Sequence, residues 1–175
     1  MFHHESAAPD TSQLPTGAFL VRRNLASLEG YLVYDAAGEQ VYRFKNHLAI
    51  AAARWTMLDA AGTEVATLVR PPMHLHPTFT VSRAGHPDVV IRKASFAPVH
   101  ESWRLEGGED GDVELVGDVL DHEFTFTAGN GRTVATASRR WVTFTDAYAV
   151  QASGLDPVLA IAAAVGIDSV EHDRR

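Results

Sequence analysis

The stretch DPVLAIAAAVGID, residues 156–168, limits what this chain can fold into more than any other. From Val158 to Ile167 no side chain is polar on any face. Gly154 breaks the preceding strand pattern, Asp156 is a capping residue and Pro157 stands at the first helical position. The segment therefore predicts a helix of about fifteen residues, ending in the polar tail EHDRR; at roughly 22 Å it is short of the roughly 30 Å of a hydrocarbon core. A helix that is apolar all round is buried all round. Burying Val158, Leu159, Ile161, Val165 and Ile167 contributes on the order of 8–15 kcal/mol at about 1.5–3 each, as much as the whole net stability of a domain. The rest of the chain must therefore wrap this helix.

The rest of the chain reads as strands. DAAG occurs twice, at 35–38 and 59–62, with Asp suited to open a type I turn and Gly to the left-handed position that ends it. Each copy joins two apolar runs: YLVY (31–34) to EQVYRF (39–44), and RWTML (54–58) to TEVATLV (63–69). Further runs are DVVIRKA (88–94), VHESWRL (99–105), DVELVGDV (112–119), EFTFTA (123–128), RTVATASR (132–139), WVTFT (141–145) and AYAVQ (147–151). In EFTFTA, Phe124 and Phe126 share one face and Glu123, Thr125 and Thr127 the other. The spacing predicts roughly twelve antiparallel strands from Thr16 onward. NLASLEG (24–30) is compatible with one helical turn or an irregular link, and KNHLAIAAARW (45–55) with a short helix or, given the hairpins around it, a strand.

A mainly β fold with one buried helix has a natural form. An antiparallel closed barrel of about twelve strands has a radius near 12 Å, enough for a central helix about 10–12 Å across and a lining of side chains. Ala160, Ala162, Ala163, Ala164 and Gly166 would let bulky wall residues close in on the hydrophobic C-terminal helix. The competing arrangement is a sandwich with the helix across one open end.

At 175 residues the chain has the size of one domain. We divide it into a disordered N-terminal arm, residues 1–15, and a single barrel domain, residues 16–175. The formal net charge of −7 lacks the basic footprint of a nucleic-acid binder. With no cysteine there is neither disulfide nor thiol chemistry. MFHHESAAPDTSQLP has no apolar signal-type core and no stretch qualifies as a transmembrane segment, so the expectation is a soluble cytoplasmic protein.

Four stretches carry candidate chemistry. His74 and His76 in MHLHP share one face if extended and would begin a zinc or nickel site if His86 or His100 supplied a third ligand; the plainer reading is a solvated loop. EGGEDGD (106–112) alternates acids with glycines but lacks the full calcium-loop spacing, and reads as a hairpin tip. DHE (121–123), if extended, sends Asp121 and Glu123 to one side and His122 to the other, which keeps them from acting together. Lys45, Arg92, Lys93, Arg139 and Arg140 are the candidates for gripping an anionic head group, although alternation sends Arg92 opposite to Lys93 and Arg139 opposite to Arg140.

Strands first and one buried helix last, with YLVYDAAGEQVYRFKN (31–46), MLDAAGTEVATLVR (57–70), GDVLDHEFTFTAGNGRTVATASRRW (117–141) and DAYAVQASGLDPVLAIAAAVGID (146–168), resembles the LURP-one-related family. That family shares its fold with tubby C-terminal domains and phospholipid scramblases. The resemblance implies a twelve-stranded antiparallel barrel around a central C-terminal helix. It also implies roles in phosphoinositide or other lipid binding, or in defence. The stretch QASGLDP before the helix holds a single acid, unlike the acidic calcium segment of scramblases, so calcium-dependent lipid transport is not expected. With the lumen filled, the functional expectation is a non-enzymatic binding or scaffold domain without cofactors. Its first-choice partner is a protein on the outer wall or rim, and its second an anionic lipid head group. The alternative from another class is a metal-dependent enzyme using rim histidines.

Overall fold

The computed structural model describes residues 8–24, 29–47, 52–72, 76–95, 101–118, 121–143 and 146–172. Twelve strands precede one helix. They are β1 (Ala18–Arg23), β2 (Glu29–Tyr34), β3 (Gln40–His47), β4 (Ala53–Asp59), β5 (Glu64–Arg70), β6 (Thr78–Ser82), β7 (Val89–Ser95), β8 (Glu101–Glu106), β9 (Val113–Asp118), β10 (Glu123–Ala128), β11 (Thr133–Ser138) and β12 (Ala147–Ala152), followed by α1 (Pro157–His172). Each strand pairs antiparallel with the next, and β1 pairs with β12, Ala18 opposite Gln151, so the sheet is a closed barrel. The sandwich alternative is thereby excluded. Because every neighbour is antiparallel, all odd-numbered strands finish at one end of the barrel, called here the upper end, and all even-numbered strands at the lower end.

The two DAAG turns form as their chemistry requires. Asp35 Oδ1 accepts from the Ala37 and Glu39 amides at 2.9 and 3.0 Å, and Asp59 Oδ1 does the same for Ala61 and Thr63. Gly38 and Gly62 take φ of 85° and 83°, where a Cβ would be strained. Inside the barrel, alternation places Phe44, Met57, Leu68, Phe79, Ile91, Trp103, Leu115 and Phe126 against the axis, all fully buried.

The helix runs up that axis. Asp156 caps it, its Oδ1 accepting from the Val158 amide at 2.8 Å and its carbonyl from the Ala160 amide. Every residue from Leu159 to Ile167 is buried, as is Val170; Val158, expected inside, is only half-buried at the lower mouth. Gly166 has a specific role. A Cβ there would overlap the ring of Phe79, so the absent side chain is the space into which that ring packs.

Two strands escaped the sequence reading and one did not form. β1 and β6 were not singled out, whereas Trp141–Thr143 is irregular, part of the connection from β11 to β12. The segment 45–55 contributes its ends to β3 and β4, and Gly30 of the 24–30 segment lies in β2; residues 25–28 and 48–51 lie outside the described residues. From residue 8 onward the N-terminal arm lies against the barrel, with Pro9 and Thr11 buried and Thr11 Oγ1 donating to the Ala36 carbonyl at 3.2 Å.

Candidate functional site

The lumen is occupied by the helix, so polar chemistry is confined to the two ends and the outer wall. At the upper end the last turns of α1 bring in Asp168 and Glu171, two acids at the terminus where the helix dipole is already negative. Each is met by donors from the wall. His122 Nε2 donates to Asp168 Oδ1 at 2.6 Å, and Tyr31 Oη to Oδ2 at 2.7 Å. His122 stands just before β10 with φ of 55°, the one left-handed residue other than glycine among those described. Its ring stacks on Tyr148 at 4.5 Å and 9°, with Arg23 nearby over the Tyr31 ring. Burial pushes the Asp168 carboxyl upward. The hydrogen bond and charge of His122, with the bond from Tyr31 and the charge of Arg23, outweigh that and hold it below its ordinary value. Burial pushes the Tyr148 phenol well above its ordinary range.

Beside this cluster Lys93 is drawn inside, its side chain only 2% exposed. Its ammonium lies 2.7 Å from Glu101 and 3.0 Å from Glu171, and 5.8 Å over the Trp103 ring. These two clusters bolt the helix end to β2, β7, β8 and the β9–β10 connection. Four buried polar atoms in them carry no hydrogen bond: His122 Nδ1, Tyr148 Oη, Glu101 Oε2 and Trp103 Nε1.

The five candidate basic residues are not brought together. Lys45 is exposed on β3, Arg92 and Lys93 are on β7, and Arg139 and Arg140 follow β11; in a ring of twelve these strands are four apart from one another. Arg92 pairs with Glu106 at 3.1 Å and Lys93 is the buried lysine just described. Lys45 instead shares the outer face of its own strand with His47, and His47 lies directly across from Arg54, all three exposed. His74 and His100 lie outside the described residues; His76 is exposed and His86 Nδ1 is 3.0 Å from Glu109. Among the described residues no three His, Asp or Glu side chains are grouped to hold a metal ion. Of DHE, Glu123 accepts from Ser138 Oγ and the Arg139 amide, and His122 has the role above.

At the lower end the six connections are acidic. Arg83 is matched by Asp156, NH1 to Oδ2 at 3.2 Å, leaving Asp35, Glu39, Asp88, Glu109, Asp110 and Asp112 against Arg132. Between the β6–β7 and β8–β9 connections lies a shallow dent over the start of the helix, with room for no more than about one water. A second shallow dent lies at the upper end between Trp55, Phe79, Gly166 and Val170.

The sequence profile of the LURP-one-related family matches residues 18–168, from the first strand to the last turns of the helix. The chain belongs to that family. The X-ray structure of a protein from Arabidopsis thaliana resembles this LURP-one-related barrel with a TM-score of 0.63 at 16% identity, covering 94% of this chain and 98% of that one. At that identity the likeness establishes the fold alone. No curated protein matches the sequence. Among the described residues of this LURP-one-related chain no helix is long and apolar enough to cross a membrane.

Proposed function

We propose that this LURP-one-related barrel, from about residue 16 onward, is one binding module without catalytic chemistry of its own, and that it engages a protein partner through its rim. The observation that carries this reading is the occupied axis. Barrels that take a small ligand do so in the lumen, and here residues Leu159–Ile167 fill it. The polar clusters at the upper end are consumed in holding the helix, and what remains for a partner is wall and rim. Capture from a lysate of the source cell, with the purified barrel as bait, tests the reading. Partners that bind the barrel directly and stoichiometrically support it. Stoichiometric zinc in the purified protein, lost on His74→Ala and His76→Ala together with a measurable hydrolytic activity, would replace it with the enzyme reading.

A second reading has its own observation. Lys45, His47 and Arg54 share the outside of β3 and β4, with Glu29 of β2 in register with Lys45; the two cations and the imidazole support contact with an anionic lipid head group. Exposed charge contacts are screened, so this reading expects co-sedimentation with anionic liposomes that weakens as salt is raised. No co-sedimentation at low salt ends it.

A further inference from the structure

We infer that Asn130, at the tip of the β10–β11 hairpin, is a site of spontaneous modification, where the side-chain amide is converted to aspartate and isoaspartate in the folded protein. The inference stands apart from the binding-module reading. The chain has three asparagines, and only Asn130 is followed by glycine; Asn24 precedes Leu25 and Asn46 precedes His47. A glycine nitrogen has no side chain beside it to hinder its approach to the preceding carboxamide. Residues 129–133 are all exposed, and a Cβ placed on Gly129 or Gly131 would meet nothing within 4 Å, so no other part of the molecule crowds these two positions. Asn46, by contrast, is half-buried within β3 and in register with Trp55 of β4. What restrains the tip is its own hydrogen bonding. The Gly131 amide donates to the Ala128 carbonyl at 2.9 Å, and Asn130 Oδ1 accepts from the Arg132 amide at 3.0 Å.

The chemistry needs water and no other reactant. Once those two bonds open, the Gly131 nitrogen loses its proton and bonds to Asn130 Cγ. The Cγ–Nδ2 bond breaks, and Nδ2 leaves as ammonia with that proton. Water then opens the cyclic imide that remains. Cleavage between the nitrogen and Cγ gives aspartate on an unchanged backbone. Cleavage between the nitrogen and the main-chain carbonyl carbon gives isoaspartate, whose backbone runs through Cγ. Nothing is oxidised or reduced. The two products act differently on the hairpin. Aspartate keeps the acceptor for the Arg132 amide and puts a charge on it. Isoaspartate lengthens the backbone between Ala128 and Arg132 by one carbon, which the paired bonds from Gly131 to Ala128 and from Ala128 to Arg132 do not accommodate. Either product adds negative charge to the acid-rich lower end, beside Arg132.

The test follows the full-length protein during incubation at mildly alkaline pH, folded in buffer and in parallel unfolded in urea, by peptide mass spectrometry. Conversion is read as a gain of one mass unit, and chromatography separates the aspartate and isoaspartate peptides. Conversion is expected at Asn130 in the folded protein, about five- to a hundredfold slower than in urea because two hydrogen bonds must open first, and several-fold faster than at Asn24 or Asn46. Asn130→Gln, with a longer side chain that closes the ring poorly, is expected to lose the mass gain at this position. In aged protein, amide exchange at Ala128 and Gly131 is expected to rise in the isoaspartate fraction and to stay unchanged in the aspartate fraction. Absence of conversion at Asn130 in the folded protein while the urea sample converts would overturn the inference, because the turn would then seal the site. Equal conversion at all three asparagines of the folded protein would overturn it as well, by removing the glycine and the exposure as its cause. Unaltered exchange in the isoaspartate fraction would overturn the effect assigned to the hairpin.

Discussion

Gly166 and Asp168 are two positions apart on one helix, and each is fixed by a different kind of physics. At Gly166 the constraint is volume. An alanine in a helix gains up to about 1 kcal/mol over glycine in propensity, but here its Cβ would overlap the buried ring of Phe79. Overpacking of this kind costs about 1–3 kcal/mol. Gly166→Ala is therefore expected to lower stability by about 1–2 kcal/mol in urea unfolding, and Phe79→Leu in the same chain to recover part of the loss. At Asp168 the constraint is charge. Its carboxyl sits below the ordinary value of 3.8 in the folded state, so it contributes stability above that pH and loses it as pH falls through the folded value. The stability gap between the protein and Asp168→Asn, measured from denaturant midpoints, is expected to be constant near neutrality and to close below about pH 4. A gap unchanged in acid would show that the carboxylate charge is not what Tyr31 and His122 recognise.

Gly166 was partly legible before any coordinates. The expectation that alanines and Gly166 let wall residues close in is met by Phe79. Lys93 shares a face with Val89 and Ile91, so alternation already places it inside. What alternation does not reveal is which acids receive it, because Glu171 is 78 residues away in the chain. His122 has the parity of Phe124 and Phe126, so alternation already turns it inward; what alternation does not reveal is its partner, Asp168, 46 residues further along the chain. The one available signal was Asp168 itself, an acid near the end of a helix expected to be buried, which demands a donor.

At the scale of elements, the helix is the part on which the others depend. Ala163 has no exposed surface and is ringed by barrel side chains. Ala163→Arg would bury an unpaired charge and overfill the axis. The expected outcome is no soluble folded protein by circular dichroism, and a soluble variant with unchanged melting would place the helix outside the barrel. The helix start makes a finer distinction. Asp156 both caps α1 and pairs with Arg83. Asparagine keeps a good cap and loses the ion pair; alanine loses both. Asp156→Ala is expected to cost at least about 1 kcal/mol more than Asp156→Asn, the usual worth of a cap, as measured by thermal or urea unfolding. The strands were read well where a turn signal bounded them, as with both DAAG hairpins. β6 (Thr78–Ser82) went unread although it is no shorter than runs that were read. WVTFT has strand propensity, but Trp141–Thr143 lie in the β11–β12 connection and make no ladder, and residues 144–145 lie outside the described residues.

Across the whole molecule, charge and hydrogen bonding are divided along the axis. The lower end carries an excess of acid, and at the upper end Asp168 and Glu171 anchor the helix. Composition alone gave the sum of −7 and not its distribution, since the connections at one end of the barrel come from every part of the chain. The closed ring has a consequence for how such a chain comes into being. Its seam joins Ala18 to Gln151, and the plug is synthesised after both. A polypeptide emerging from the ribosome can form hairpin after hairpin, yet it cannot shut the ring until β12 has emerged, nor fill it until α1 has. Such reliance on distant pairing makes folding slow, and for that interval the inward faces of eleven finished strands face water. The protein's vulnerable moment is thus its birth, when a stalled or truncated chain presents an open apolar trough to its neighbours.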